Sequence, residues 1–176
     1  MNGAGQGLNK AAALERLVRE RGDGLRRYCY GILLHPQDSE DAAQTALLKA
    51  YRKWDSLRDP DALAAYAYRA AYTACMDLLR QRKRCPIEAS APVEEGIGLS
   101  EAVEDALQAL SPQDRALVIG RAVEERPYEQ LARIHHRPAA TLRKRYERAR
   151  KRLVILLSED EADEPVSLQR RTSYER

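Results

Sequence analysis

An acidic segment rich in helix-breaking residues divides the chain into two basic parts, and this division constrains the fold more than any other feature. Residues 86–100 contain two prolines, two glycines and no sustained apolar period, which is typical of a linker. The net charge is +5 for residues 1–84, −6 for 85–110, +7 for 111–157 and −3 for 158–176. We therefore expect two small modules with separate cores, and two contacts with a polyanion, although a solvated helical surface accounts for part of this charge.

Helical signals dominate the first part of the chain. Alanine, leucine and arginine are abundant and β-branched residues are sparse, so helix propensity is high almost throughout. Apolar residues recur at helical spacing, and Asp and Pro mark the starts of new helices. The predicted helices run from Leu14 to Leu34, as one helix or as two divided at Gly22–Gly24, from the N-cap Asp38 to Trp54, and from Pro60, after Asp59, to Arg84.

The second part of the chain predicts a helix-turn-helix. Ser111, Pro112 and Asp114 combine an N-cap, a first-turn proline and an acid three residues after the cap. The predicted helices are Pro112 to about Val123, Pro127–Ile134 and, after a tight connection, Ala139 to about Leu157. The predicted fold is all-α, with two small helical domains at 8–84 and 104–157, a flexible acidic linker at 85–103 and a disordered tail at 158–176.

The last predicted helix has a strongly basic face. Its apolar stripe leaves the charged residues pointing outward, and the second helix of a helix-turn-helix enters the major groove. A solvated face whose charges serve only solubility is the alternative interpretation. The candidate base contacts are Arg143, Lys144, Glu147 and Arg148, joined by Thr141, with Arg145 suited to phosphates.

The chain carries no motif for catalysis or for a cofactor. His135 and His136 are adjacent, so their side chains project in different directions, and no Cys or carboxylate cluster completes a metal site. We expect no metal, no cofactor and no enzymatic activity. The three cysteines match neither a disulfide framework nor a zinc pattern, so they are expected to be reduced, with Cys29 and Cys75 buried. No apolar stretch reaches the ~20 residues of a membrane span, which predicts a cytoplasmic protein without membrane insertion.

Two regions resemble the extracytoplasmic-function class of bacterial sigma factors. The segment LSPQDRALVIGRAVEERPYEQLARIHHRPAATLRKRYERARKRL resembles the family's reader of the upstream promoter element. The segments LERLVRERGDGLRRYCYGILL and SEDAAQTALLKAYRKWDSLRDPDALAAYAYRAAYTACMDLLRQRKR resemble its other conserved domain, in the same order and with the same linker. The similarity spans roughly Leu14 to Leu153. It implies a factor that binds core RNA polymerase and directs transcription initiation at a bipartite promoter.

The resemblance also implies a docking surface for the polymerase. In the family, the helix that corresponds to Ser39–Trp54 docks on the clamp helices of the β′ subunit. The β flap is a second implied contact, and an anti-sigma factor is an implied partner. The residues that match the docking motif are Asp41, Gln44, Leu47 and Leu48. The residues themselves leave open that Leu47, Leu48 and Tyr51 are ordinary core.

The helix Pro60–Arg84 resembles the family's element that reads and opens the downstream promoter element. Opening DNA requires flat side chains that stack on unpaired bases and cations that hold the backbone. The loop from Leu57 to Leu63 is expected to form the wall around a flipped base. The candidate residues are Leu57, Arg58, Tyr66, Tyr68, Arg69, Tyr72, Thr73 and Arg80. The alternative interpretation is that the tyrosines belong to the core and its rim.

The chain departs from the family pattern at several positions. The family usually has Glu at Thr45, Trp at Tyr66, Asn at Thr73, and Gly in the recognition turn where His136 or Ala140 stands. These departures leave a second hypothesis, a stand-alone helix-turn-helix regulator that binds duplex DNA without polymerase. A third hypothesis is a module that sequesters another regulator, for which DNA affinity should be weak and nearly independent of salt.

Overall fold

The computed structural model describes residues 3–57, 59–84 and 99–163 of the chain. Across these residues the backbone is helical and contains no strand, which confirms the all-α prediction. The helices are α1 Gly3–Leu33, α2 Pro36–Leu57, α3 Pro60–Arg84, α4 Glu101–Gln108, α5 Pro112–Val118, α6 Tyr128–His135 and α7 Ala139–Asp163. A π-helix, Ile119–Val123, continues α5.

The first helix is continuous, so the single-helix form of the prediction is confirmed and the break at Gly22–Gly24 is wrong. A Cβ atom at Gly24 would lie 2.6 Å from both Tyr68 Oη and Glu124 Oε2. The glycine therefore leaves room for other parts of the chain to approach α1 closely, and it does not mark a turn.

The residue that caps the start of α2 is His35, whereas the sequence predicts Asp38. The helix begins at Pro36, two residues before the expected N-cap Asp38, and His35 Nδ1 accepts the backbone N–H of Asp38 at 3.3 Å. The prediction for α3 is confirmed, because Asp59 Oδ2 accepts the backbone N–H of Ala62 at 2.9 Å and Pro60 occupies the first helical position. On α2 the buried positions are small alanines and Ser39, which lets α1 and α3 pack close to its backbone.

The second module has the predicted helix-turn-helix form. Ser111 Oγ accepts the backbone N–H of Asp114 at 3.2 Å, as the capping signal predicts. The turn between α6 and α7 passes through His136, whose φ of 51° lies in the left-handed region. Helix α7 continues to Asp163, so the prediction of disorder from residue 158 is wrong as far as 163. Ser158 Oγ donates to the carbonyl of Ile155 at 3.1 Å within this helix, and residues 164–176 lie outside the described ranges.

The two modules share one hydrophobic core, so the expectation of separate cores is wrong. The buried residues form a single cluster that runs from Leu17 in α1 to Ala149 in α7. The modules meet where α1 and α3 contact α5, the π-helix and α6. A Cβ atom at Gly31 would lie 2.8 Å from Ile119 Cδ1, so the two backbones approach closely there. The predicted linker falls largely outside the described residues, and α4 begins at Glu101, before the predicted boundary at 104.

Candidate nucleic-acid and protein interfaces

One face of α2 is exposed and mixes polar and apolar groups. Asp41, Gln44 and Leu48 are exposed on that face, and Leu48 keeps 56% of its surface accessible. Gln44 Nε2 donates to Glu40 Oε1 at 3.0 Å, which fixes the amide on the same face. Leu47 is partly buried against the core. The core interpretation therefore applies to Leu47 but not to Leu48, whose exposure beside polar groups is typical of a helix-on-helix docking surface.

A second face lies along α3, where four predicted DNA contacts are aligned. Tyr66, Arg69, Thr73 and Arg80 follow helical spacing, so their side chains share one side of the helix. The guanidinium of Arg69 lies 5.1 Å from the ring centroid of Tyr66, and Thr73 Oγ1 donates to the Arg69 carbonyl at 3.0 Å. Arg80 is exposed and pairs with Asp77 at 2.7 Å. An aromatic ring and cations thus stand in one row.

Tyr68 and Tyr72 lie on a different side of α3, against the second module. Tyr68 is fully buried, its hydroxyl donates to Glu124 Oε2 at 2.6 Å, and the guanidinium of Arg126 lies 3.3 Å from its ring centroid. Burial and the hydrogen bond to Glu124 raise the pKa of Tyr68. Tyr72 is partly buried, with its ring centroid 4.6 Å from that of His135. In this arrangement Tyr68 belongs to the core and does not reach a base.

The loop before α3 contributes fewer exposed groups than expected. Leu57 is partly buried, and Leu63 is 2% exposed and belongs to the core. Arg58 lies outside the described residues.

The outward face of α7 carries the predicted upstream-element contacts. Thr141, Arg143, Lys144, Glu147 and Arg148 are all exposed. This alignment follows from the apolar stripe that the sequence shows, since Leu142 and Ala149 are buried on the opposite side.

Arg145 differs from its neighbours on α7, because it is partly buried and bound to α5. Its guanidinium donates to Asp114 through Nε and to Ser111 Oγ at 3.2 Å through Nη2. Burial alone would raise the pKa of Asp114, but the hydrogen bonds from Arg145 and Ser111 outweigh it and lower that pKa. Arg145 therefore anchors the recognition helix, and it is less free to hold a phosphate than the exposed arginines.

The contact between the modules contains buried polar groups that sequence reasoning missed. Glu124 and Arg126 fall in the segment that the sequence presents only as a short turn. The π-helix and the left-handed Glu125, with φ of 50°, aim both side chains at α3. The backbone N–H of Arg126 donates to the Gly120 carbonyl at 2.9 Å, which closes this unusual turn.

Several polar atoms at this contact have no hydrogen-bond partner among residues 3–57, 59–84 and 99–163. Arg126 Nε and His135 Nε2 are buried and unpaired, and Arg27 approaches Glu124 Oε1 only to 3.5 Å. Burial and the nearby Arg145 lower the pKa of His135 to about 4. Each unpaired buried group costs roughly 1–3 kcal/mol, so the contact is specific but not strongly cohesive.

The described ranges also contain two free thiols and scattered potential metal ligands. No group of three or more His, Cys, Asp or Glu residues there could hold a metal ion. Cys29 and Cys75 are both free and fully buried, as predicted, and the hydrogen bond between the Cys75 thiol and Cys29, together with burial, raises the pKa of Cys75. A buried thiol of this kind is chemically inert. None of the described helices combines the length and apolar character that crossing a membrane requires.

Comparison with known proteins identifies the class. Residues 17–85 match the Sigma-70 region 2 family and residues 100–153 match the Sigma-70, region 4 family. The chain is 31% identical over 146 residues to the RNA polymerase sigma-E factor of Streptomyces antibioticus, covering 79% of this chain and 81% of that protein. It is also 31% identical over 151 residues to the ECF RNA polymerase sigma factor SigM of Mycobacterium tuberculosis, covering 82% and 77%.

A solved structure supports the same assignment. The sigma factor RpoE of Bartonella quintana, crystallised with the anti-sigma factor NepR, matches with a TM-score of 0.70 and 26% identity over 83% of this chain and 97% of that one. The chain is a bacterial RNA polymerase sigma factor. Within that class it belongs to the extracytoplasmic-function family, which confirms the resemblance seen in the sequence and does not favour the stand-alone regulator.

Proposed function

We propose that the chain binds core RNA polymerase through the exposed face of α2 and directs it to a bipartite promoter through α3 and α7. The observation that carries this proposal is the separation of two kinds of surface. Leu48 stands exposed beside Asp41 and Gln44 on one module, which suits a protein helix. Arg143 and Arg148 stand exposed on the other, which suits DNA. The β′ clamp helices are the proposed site for α2, and the β flap is a further polymerase contact.

The row of Tyr66, Arg69, Thr73 and Arg80 on α3, in which Tyr66 and Arg69 are partly buried, is proposed to engage the downstream element. Tyr66 offers a ring for an unpaired base, and Arg69 and Arg80 offer cations for the backbone. Tyrosine replaces the usual tryptophan here, so the stacking area is smaller than in most family members.

Promoter binding requires the two modules to separate. Elements about two helical turns apart are roughly 70 Å apart, and the 16 residues between α3 and α4, 85–100, reach about 50 Å when extended. A bipartite site is therefore accessible only to separated modules, whose own dimensions add to that reach. In the packed arrangement Glu124, Arg126 and His135 cover Tyr68 and Tyr72. When the modules separate, the unpaired polar atoms at this contact form hydrogen bonds with water. These bonds lower the free-energy cost of separation.

An anti-sigma factor is the proposed regulatory partner. The structural relative from Bartonella quintana was crystallised with one, and the likeness extends over 97% of that chain. We further propose that the protein acts in the cytoplasm alongside polymerase and catalyses no reaction of its own.

The decisive experiment combines the purified chain with core RNA polymerase and fragmented genomic DNA from the source organism, and sequences the 5′ ends of the transcripts. Discrete new start sites that share two upstream motifs are expected. If start sites and polymerase binding are both absent, the sigma-factor proposal fails. Tight binding to duplex DNA without polymerase would then favour a stand-alone regulator.

Substitutions separate the two surfaces. Gln44→Ala should weaken polymerase binding and leave upstream-element recognition intact, because Gln44 lies on α2. Arg143→Ala and Arg148→Ala should do the reverse. Each base contact contributes about 1–3 kcal/mol of discrimination, so losses of roughly 5- to 150-fold in preference are expected. Equal loss in both assays would refute the modular assignment.

A further inference from the structure

The ring of Tyr128, at the start of α6, gathers cationic side chains from two other elements. The guanidinium carbon of Arg143 on α7 lies 5.0 Å from the ring centroid, and that of Arg121 in the π-helix lies 5.4 Å from it. Tyr146 of α7 meets the same ring edge-on, with centroids 6.3 Å apart. A ring attracts a cation within about 6 Å of its centroid, so Tyr128 contacts both arginines favourably.

Both arginines at this ring lack an acidic partner among the described residues. In the part of the chain that the structure describes, no carboxylate forms an ion pair with Arg121 or Arg143. Arg145, by contrast, is tied to Asp114. The two like charges near one ring repel each other, and the cation–π contacts with the ring offset part of that repulsion. The positive charge of both arginines therefore remains available to an anionic or electron-rich ligand.

We infer that Tyr128 is a positioning residue for the upstream element, which holds Arg143 ready for a base edge and Arg121 ready for the adjacent phosphate backbone. This inference rests on the proposed function, since it assigns Arg143 to DNA. An arginine restrained before binding loses less rotamer freedom on binding, and its planar fork matches the paired acceptors O6 and N7 of guanine. Tyr128 itself need not touch the DNA.

The test uses the full chain with core RNA polymerase and a library of duplexes randomised through the upstream element of a promoter found by transcript-end mapping. Sequencing of the bound duplexes gives the preference at each base pair. The variant Arg143→Ala first identifies the base pair that Arg143 reads. Tyr128→Leu should then reduce discrimination at that same base pair by about two- to fivefold, the value of a cation–π contact near a surface.

Two controls separate positioning from a general structural role. Tyr128→Phe should keep the wild-type preference, because a phenyl ring retains the face that the guanidinium contacts. The base pair whose preference is lost in Arg148→Ala should keep its full discrimination in Tyr128→Leu, because Arg148 shows no contact with Tyr128 in the described residues. Equal weakening at every base pair, or identical behaviour of the Leu and Phe variants, would overturn the inference.

Arg121 provides an independent measurement. Arg121→Ala should reduce the slope of log affinity against log salt by about one and leave base preferences unchanged, as loss of one phosphate contact predicts. A changed base preference, or an unchanged slope, would overturn its assignment to the backbone. If the wild-type chain enriches no motif at all, the proposed function fails and this inference falls with it. If the wild type enriches a motif, a uniform effect of Tyr128→Leu refutes only the role of Tyr128.

Discussion

A single methyl group at Gly31 should separate the two modules. Gly31 lies in α1 and faces Ile119, the first residue of the π-helix. An added Cβ atom would lie 2.8 Å from Ile119 Cδ1 and closer still to Cγ1, and the three atoms nearest to it all belong to that side chain. Ile119 is β-branched and 5% exposed, so it has little freedom to move aside. Gly31→Ala therefore strains the contact between the modules, where its shortest distances fall.

The size of the effect follows from the cost of overpacking. Inserting one methyl group into a well-packed core costs about 1–3 kcal/mol. The gain in helix propensity from Gly to Ala, about 1 kcal/mol, is present in the packed and the separated states alike and cancels. The equilibrium should shift toward separation by about 5- to 150-fold. A separated population of about 1% would rise to between about 5% and 60%.

Gly22→Ala is the matched control on the same helix. A Cβ atom at Gly22 would lie 3.7 Å from Val18 Cγ1, an ordinary contact, so this variant gains helix propensity without straining the contact. Small-angle X-ray scattering should show a larger radius of gyration for Gly31→Ala than for Gly22→Ala. With core polymerase, Gly31→Ala should also form promoter complexes faster. Identical scattering and identical rates for the two variants would refute the link between module packing and promoter binding.

Two further predictions concern the histidines of the recognition turn. His136→Gly should raise the free energy of unfolding by about 0.5–1 kcal/mol in urea denaturation, because His136 holds a left-handed φ of 51°, whereas His136→Ala should bring no gain. The folded-state pKa of His135, about 4, lies below its ordinary value of 6.5, because burial and Arg145 disfavour the charged form. The free energy of unfolding should therefore fall as the pH drops from 6.5 toward 4, by up to about 1.4 kcal/mol per pH unit. If the same dependence on pH persists in His135→Gln, another group causes it.

Local signals in the sequence predicted the helices well, because their chemistry connects residues only a few positions apart. Ser111 caps a helix by accepting the N–H of Asp114, and Asp59 does the same for Ala62. The Gly22–Gly24 segment left open whether the chain forms one helix or two there, because the role of Gly24 depends on Glu124, one hundred residues further along the chain. No local pattern carries that information.

The candidate site residues also divide into those that local patterns predict and those that depend on distant partners. Helical spacing separated the buried from the exposed positions of α7, so the exposure of Arg143 and Arg148 was predictable. Spacing did not distinguish Arg145, whose partner Asp114 lies 31 positions earlier. The sequence offered the core interpretation of Tyr68 but not the residues that cover it, because these depend on a π-helix, and the sequence carries no established signal for that turn.

The chemistry of the contact between the modules fits an interface that must come apart. A permanent contact gains most from apolar groups, since replacing a buried ion pair with packed hydrophobic residues is often neutral or stabilising. Here Glu124 and Arg126 place charged groups against Tyr68. The hydrogen bond from Tyr68 to Glu124 and the cation–π contact with Arg126 fix one arrangement of the two modules. The unpaired Arg126 Nε and His135 Nε2 limit how strongly that arrangement is held. The contact thus combines a unique geometry with a modest free energy, so polymerase and promoter can replace it with contacts of their own.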